Sequence, residues 1–277
     1  MTYPSVPHPE DAPGFGAYPA YTPDNTPDAP TQGSGVVDVF AAVKWAFRAV
    51  FSNKRVWILG SFLLLLVLGV VGASLGVYLA KSGVDLFATS GIAGNLTMTI
   101  LGAVSTVLVT PFLYSGALAQ VDKEKGRWSY FFENLNYGSV AITALLATAI
   151  NYSLSYAVSG IFGLLGSLMG ETGEAALAGI GALIGGILGI FLAPLIYLWD
   201  WFAADGQDVK SAIRKGIEAG KWNYWQLLLY GLLAPIVVGI LCLSTLGLGL
   251  LVFPAVYLLS NAHIARQASG GVVPART

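Results

Sequence analysis

From residue 36 onward, long uncharged apolar runs alternate with short segments that collect charged, amide and aromatic side chains. An α-helix rises about 1.5 Å per residue, so roughly 20 apolar residues cross a hydrocarbon core of about 30 Å. By that criterion the chain predicts six transmembrane helices, at 56–80, 96–119, 140–161, 178–199, 225–243 and 246–263. Ser244, Thr245 and a few neighbours separate the last two, which predicts a tight hairpin. Ahead of the first run, Val36, Phe40, Val43, Phe47 and Val50 form one stripe, interrupted by Asp38, Lys44, Arg48 and Ser52. That segment, 37–52, is too short and too charged to span. It predicts a helix lying in the interface, with Trp45 at headgroup depth. The expected fold is an all-α membrane protein: six transmembrane helices as three hairpins, each preceded by an interfacial cytoplasmic helix.

Composition narrows the class further. Of 277 residues, 55% are hydrophobic and 10% charged, against about a quarter charged in soluble domains. That excludes a water-soluble globular protein. A formal net charge of −1 provides no basic field, so nucleic acid is not an expected partner. Cys242 is the only cysteine, and His8 and His263 the only histidines, so neither a disulfide nor a Cys- or His-based metal centre is expected, and no cofactor. Residues 1–35 hold eight of the thirteen prolines, with Tyr3, Tyr18, Tyr21 and four acids but no Lys or Arg. They predict a disordered cytoplasmic tail that is not a signal peptide, and is either a docking arm or a plain solvated extension. Residues 267–277 predict a second disordered cytoplasmic tail, leaving 36–266 as the transmembrane domain.

The distribution of cations gives an orientation. Lys44, Arg48, Lys54 and Arg55 precede the first run, and Lys123, Lys125 and Arg127 follow the second. Lys210, Arg214, Lys215 and Lys221 follow the fourth, and Arg266 and Arg276 follow the sixth, leaving only Lys81 on the other side. Basic residues are retained on the cytoplasmic side during insertion, so both termini are expected in the cytoplasm of a bacterial plasma-membrane protein.

An internal repeat accompanies this layout. Each even-numbered run carries Pro-x-x-Tyr: Pro111 to Tyr114, Pro194 to Tyr197 and Pro254 to Tyr257. Segments rich in aromatic and amide residues precede the odd-numbered runs, including Asn53, Asn134, Asn136 and Asn223. Three units follow, each with an outgoing helix and a return helix bent at proline, the tyrosine facing the cytoplasmic interface. Trp199, Trp201, Phe202, Trp222, Tyr224 and Trp225 flank the fourth loop as an aromatic belt. Asp208 is placed to cap a helix over 209–219, whose cations serve either retention or headgroup and partner docking.

No ionisable residue lies in mid-span, which counts against ion-coupled transport and against membrane-embedded catalysis. The most polar mid-span face is Asn151, Ser155 and Ser159, at intervals of four and so on one side of a helix. It reads either as a substrate path or as hydrogen-bonding glue between helices. Gly72 and Gly76, and Gly181, Gly185 and Gly189, form stripes where two backbones can approach closely. Asp200, Asp205 and Asp208 would have to act together for an enzymatic reading, which only their proximity suggests.

The proline-rich acidic tail, the six runs, and Trp199-Asp200-Trp201-Phe202-Ala203-Ala204-Asp205-Gly206 followed by an amphipathic helix and Asn223 resemble poorly characterised bacterial integral membrane families, especially actinobacterial ones. The likeness covers most of 36–266 and is one of layout. It implies a plasma-membrane location and little chemistry. The leading expectation is a non-enzymatic structural or accessory component of a membrane or cell-envelope assembly. Membrane lipids would be its partners, together with a protein bound through the tail or the glycine-lined faces. The alternative is a transporter or lipid-handling permease without an ionisable mid-membrane residue.

Overall fold

A computed structural model describes residues 31–81, 92–123 and 125–274; the expectation for most of the N-terminal tail lies outside them. The described residues form helices α1 (Val39–Ser52), α2 (Lys54–Lys81), α3 (Ile92–Lys123), α4 (Tyr137–Ser167), α5 (Glu171–Ile196), α6 (Trp199–Ala204), α7 (Val209–Trp222), α8 (Tyr224–Ser244) and α9 (Phe253–Ser269). Short 3-10 turns occupy Trp128–Phe131 and Leu248–Leu251. The protein is therefore all-α.

Among the described residues, five helices are long and apolar enough to cross a membrane: Lys54–Tyr78, Gly102–Lys123, Tyr137–Ser167, Glu171–Ala204 and Tyr224–Ser244. Their large apolar side chains point outward, as with Leu66, Val70, Leu183 and Leu233. Exposure on this scale is untenable in water and natural in lipid, which makes the fold compatible with a membrane-embedded protein.

The sixth expected span, 246–263, takes a different form. Leu246 and Gly247 turn the chain in left-handed conformations, a 3-10 turn follows, and only then does α9 begin. Thirteen of its seventeen residues are buried, among them Ser260, Asn261, His263, Arg266 and Gln267. α9 is thus the central helix and is enclosed by protein, which is why its sequence tolerates polar residues that a lipid-facing helix would not. Pro254 sits in its first turn, where a missing N–H costs nothing, so it starts a helix instead of bending one. Pro111 and Pro194 do lie inside α3 and α5, and Pro235 lies inside α8.

Of the expected hairpins, α4 and α5 pack along their length. By contrast, an apolar groove opens between α2, α3 and α9, and a second between α1, α8 and α9. The interfacial helices also differ from one unit to the next. α1 and α7 are full 14-residue helices, whereas only the turn Trp128–Phe131 stands in the equivalent place before α4.

Ordered structure continues past both ends of the expected 36–266 domain. Thr31–Gln32 pairs antiparallel with Val272–Val273, with Thr31 opposite Val273. α9 itself continues to Ser269, beyond the expected boundary at 266, and ends on Gly270 in the left-handed conformation that suits a helix stop. Hydrogen bonds from Gly33 N–H to Gly271 O (2.7 Å) and from Gly35 N–H to Gln267 O (3.1 Å) continue this closure. Gly33 has no room for a side chain, because a Cβ there would lie 2.8 Å from Arg266 O.

Candidate functional site

The polar centre is built from corresponding positions of the three expected units. Asp38 caps α1 by accepting from Ala41 N–H at 2.9 Å, and Asp208 caps α7 by accepting from Ser211 N–H at 3.2 Å. Fifteen residues after each aspartate comes an asparagine, Asn53 or Asn223, that ends one helix and leads directly into the next. Each donates its side-chain amide back to a carbonyl four residues earlier, Ala49 O at 3.1 Å or Ala219 O at 3.0 Å. Asn136 holds the corresponding place before α4.

These three asparagines latch the units in a ring. Asn53 accepts from Gly126 N–H at 2.9 Å, at the entry to the second unit. Asn136 donates to Ala203 O (3.0 Å) and Gln207 O (2.8 Å), at the entry to the third. Asn223 accepts from Val37 N–H (2.8 Å) and donates to Gly35 O (2.9 Å), at the entry to the first. Each unit thus holds the entry of the next, and the third returns to the first.

The Pro-x-x-Tyr tyrosines turn inward toward the α9 core and do not form a belt. Tyr114 stacks on Trp201 with ring centroids 3.9 Å apart and planes 8° apart. Tyr197 donates its hydroxyl to Asn261 and meets Tyr230 edge-on at 6.3 Å, while Tyr230 stacks on Tyr257 at 5.7 Å. The expected aromatic belt therefore divides. Trp199, Trp201 and Phe202 are buried, and Trp222 and Trp225 stay exposed.

Eight or nine residues beyond each tyrosine lies a charge. Asp122 and Asp205 both follow their unit's proline by eleven residues, and Arg266 follows Pro254 by twelve. The three meet. Arg266 grips Asp122 with Nε to Oδ1 at 2.8 Å and Nη2 to Oδ2 at 2.7 Å, and donates Nη1 to Asp205 Oδ1. Its side chain is 7% exposed, so the residue expected as a cation of the C-terminal tail is a buried ion-pair centre. The planar fork of arginine suits this bidentate geometry, which lysine could not reproduce. Around it, Gln267 accepts from Asp38 N–H at 2.6 Å and lies 3.0 Å from His263 Nδ1, and Trp45 packs on His263 at 5.1 Å. Gln120 accepts from the Trp57 indole.

The other expected sites separate into those that meet and those that do not. Asn151, Ser155 and Ser159 face the glycine stripe of α5. A Cβ on Gly181 would lie 2.8 Å from Ser159 Cα, one on Gly185 2.9 Å from Ser155 Cα, and one on Gly189 3.7 Å from Asn151 Oδ1. Ser159 donates to Ala178 O at 2.9 Å, and Asn151 donates to Ala147 O of its own helix at 2.9 Å. This face is thus backbone packed on backbone. No atom lies within 4 Å of a Cβ placed on Gly72 or Gly76, so that stripe has no partner helix among the described residues.

The three aspartates of the enzymatic reading serve separate purposes: Asp205 pairs with Arg266, Asp208 caps α7, and Asp200 has one oxygen buried without a hydrogen-bond partner. The cap hydrogen bonds from Ser211 hold the Asp208 carboxyl below the usual range. Among the described residues, no three His, Cys, Asp or Glu side chains are grouped to hold a metal.

Sequence reasoning missed Asp122, Arg266 and the latching role of the asparagines. The available signal was register: aligning the units on Pro-x-x-Tyr places both acids in one column and the arginine one residue beyond it. Comparison with protein-family models, curated proteins and solved structures gives no match to this chain.

Proposed function

We propose that the chain is a non-enzymatic structural or accessory component of a membrane or cell-envelope assembly. In this reading it crosses a bacterial plasma membrane six times as three units, with both termini and the Arg266 centre on the cytoplasmic side. The sixth crossing is the 3-10 turn plus α9, sheathed by the other helices.

The observation that carries the proposal is the packing of Ser155 and Ser159 against Gly185 and Gly181, with Asn151 bonded to its own helix. A substrate path needs polar groups facing a cavity, whereas these face a neighbouring backbone at a distance no solute can enter. The remaining polar side chains point the same way. The asparagines close unit on unit, and Arg266 joins acids 144 and 61 residues away in sequence. Buried polar groups so consumed fix a unique arrangement and are not themselves free for exchange or bond-making.

The permease reading is tested by replacing Asn151, Ser155 and Ser159 together with alanine. Envelope lipid composition and small-solute uptake are expected to stay unchanged in cells that retain the folded protein. Altered flux with normal folding overturns the structural reading.

A further inference from the structure

We propose that the protein binds one anionic glycerophospholipid at the junction of α1 and α2, its phosphate held by Lys54, Arg55 and Arg127 and one acyl chain laid in the groove between α2 and α3. Two adjoining cavities carry this. The first, about 460 Å³, is lined by those three cations with Ser52, Asn53 and Gly126, and among the described residues no carboxylate lines it. The second, about 570 Å³, is an apolar trough whose walls include Leu64, Val67, Leu108, Phe112 and Leu258. Val56 and Trp128 line both cavities, so the cationic cleft adjoins the trough. A charged head beside an apolar slot, joined by an interfacial tryptophan, is the chemistry of an amphiphile.

The dimensions select the occupant. Along α2 the trough runs from Val56 to Val67, and eleven residues of helix rise about 16 Å. One leaflet is half of a hydrocarbon core of about 30 Å, or about 15 Å. The slot is therefore as deep as a single leaflet. Gly60 lets the Trp128 ring lean over α2 at the head of the trough, since a Cβ there would come within 3.1 Å of the ring. Without an occupant, α2 and α3 would face each other across an empty trough, which lipid chains fill at low cost.

The inference rests on the membrane-spanning reading but not on the accessory role. The full chain is purified in mild detergent, mixed with equal phosphatidylglycerol and phosphatidylcholine, and the retained lipid is measured by native mass spectrometry. Phosphatidylglycerol is expected to be retained in preference. Each cation near an anionic phosphate is worth about fivefold in affinity, so K54Q/R55Q/R127Q is expected to lower retention about 100-fold. If the triple variant fails to fold, Arg127→Gln alone is expected to lower it about fivefold. Leu64→Trp, which fills the trough, is expected to lower retention with all cations in place. Equal retention of both lipids, or displacement by inorganic phosphate alone, overturns the proposal, the latter in favour of a free anion. Alkaline extraction of membranes checks the underlying reading separately: the chain is expected in the pellet, and its release overturns both.

Discussion

Replacing Arg266 with alanine probes the centre most severely. The substitution removes the bidentate grip on Asp122 and the bond to Asp205, and leaves two carboxylates beside each other without a cation. Their side chains are 38% and 14% exposed, so Asp205 suffers most and water relieves Asp122 in part. Breaking a buried ion pair from one side costs about 3–5 kcal/mol, and the partial exposure of Asp122 places this case near the lower end, about 3 kcal/mol. At about 2–4 °C per kcal/mol for chains near this size, thermal unfolding in a mild detergent is expected about 6–12 °C lower. Arg266→Lys keeps the charge but loses the fork, and is expected to fall between alanine and the native protein. The combined D122N/D205N/R266M variant removes all three charges and is expected to recover most of the loss, because a neutral centre carries no desolvation penalty. An Arg266→Ala protein that unfolds within about 1 °C of the native one, with the native fold intact, refutes the assignment.

Other substitutions separate the contacts. Gly185→Ala places a methyl 2.9 Å from Ser155 Cα and is expected to loosen the α4–α5 hairpin; at Gly189 the same change meets only Asn151 Oδ1 at 3.7 Å and, by helix propensity, is expected to be neutral or stabilising by up to about 1 kcal/mol. Equal unfolding temperatures for the two variants would contradict the packing. Asn223→Ala leaves the Val37 N–H and Gly35 O without their partner and is expected to cost about 1–3 kcal/mol, read as faster hydrogen exchange at the Val37 amide. Unchanged protection there sinks the latch. The Asp208 carboxyl titrates below its unfolded value because Ser211 binds the charged form, so its capping of α7 is complete above the ordinary carboxylate range and is lost as pH falls through the depressed folded value. Asp208→Asn is expected to keep the cap and abolish the pH dependence of the Ser211 amide resonance.

The contrast between α2 and α9 shows what the sequence could reveal. α2 is legible because a long uncharged apolar run has one meaning: a helix is expected over 56–80, and α2 covers Lys54–Lys81. α9 is less legible because its surroundings are protein. Hydropathy places a span at 246–263, but Leu246 and Gly247 turn the chain and the helix that follows buries His263, Arg266 and Gln267. Arg266 looked like a retained tail cation because a composition argument counts charges without knowing their partners, and Asp122 lies 144 residues away. The polar face and the α5 glycine stripe were both visible, and only coordinates could show that Ser155 lies on Gly185. The Pro-x-x-Tyr tyrosines, expected at the interface, turn inward onto other aromatic rings, since an amphipathic ring suits an interface and an inner cluster equally well.

The accessory role is tested most directly by extracting the full-length chain from its own membrane in native lipid and determining the composition of the purified particle. A second membrane polypeptide in fixed ratio, retained across independent preparations and lost from a control membrane protein treated identically, is the expected result. A homogeneous lone monomer, still folded and carrying only lipid, contradicts an accessory role.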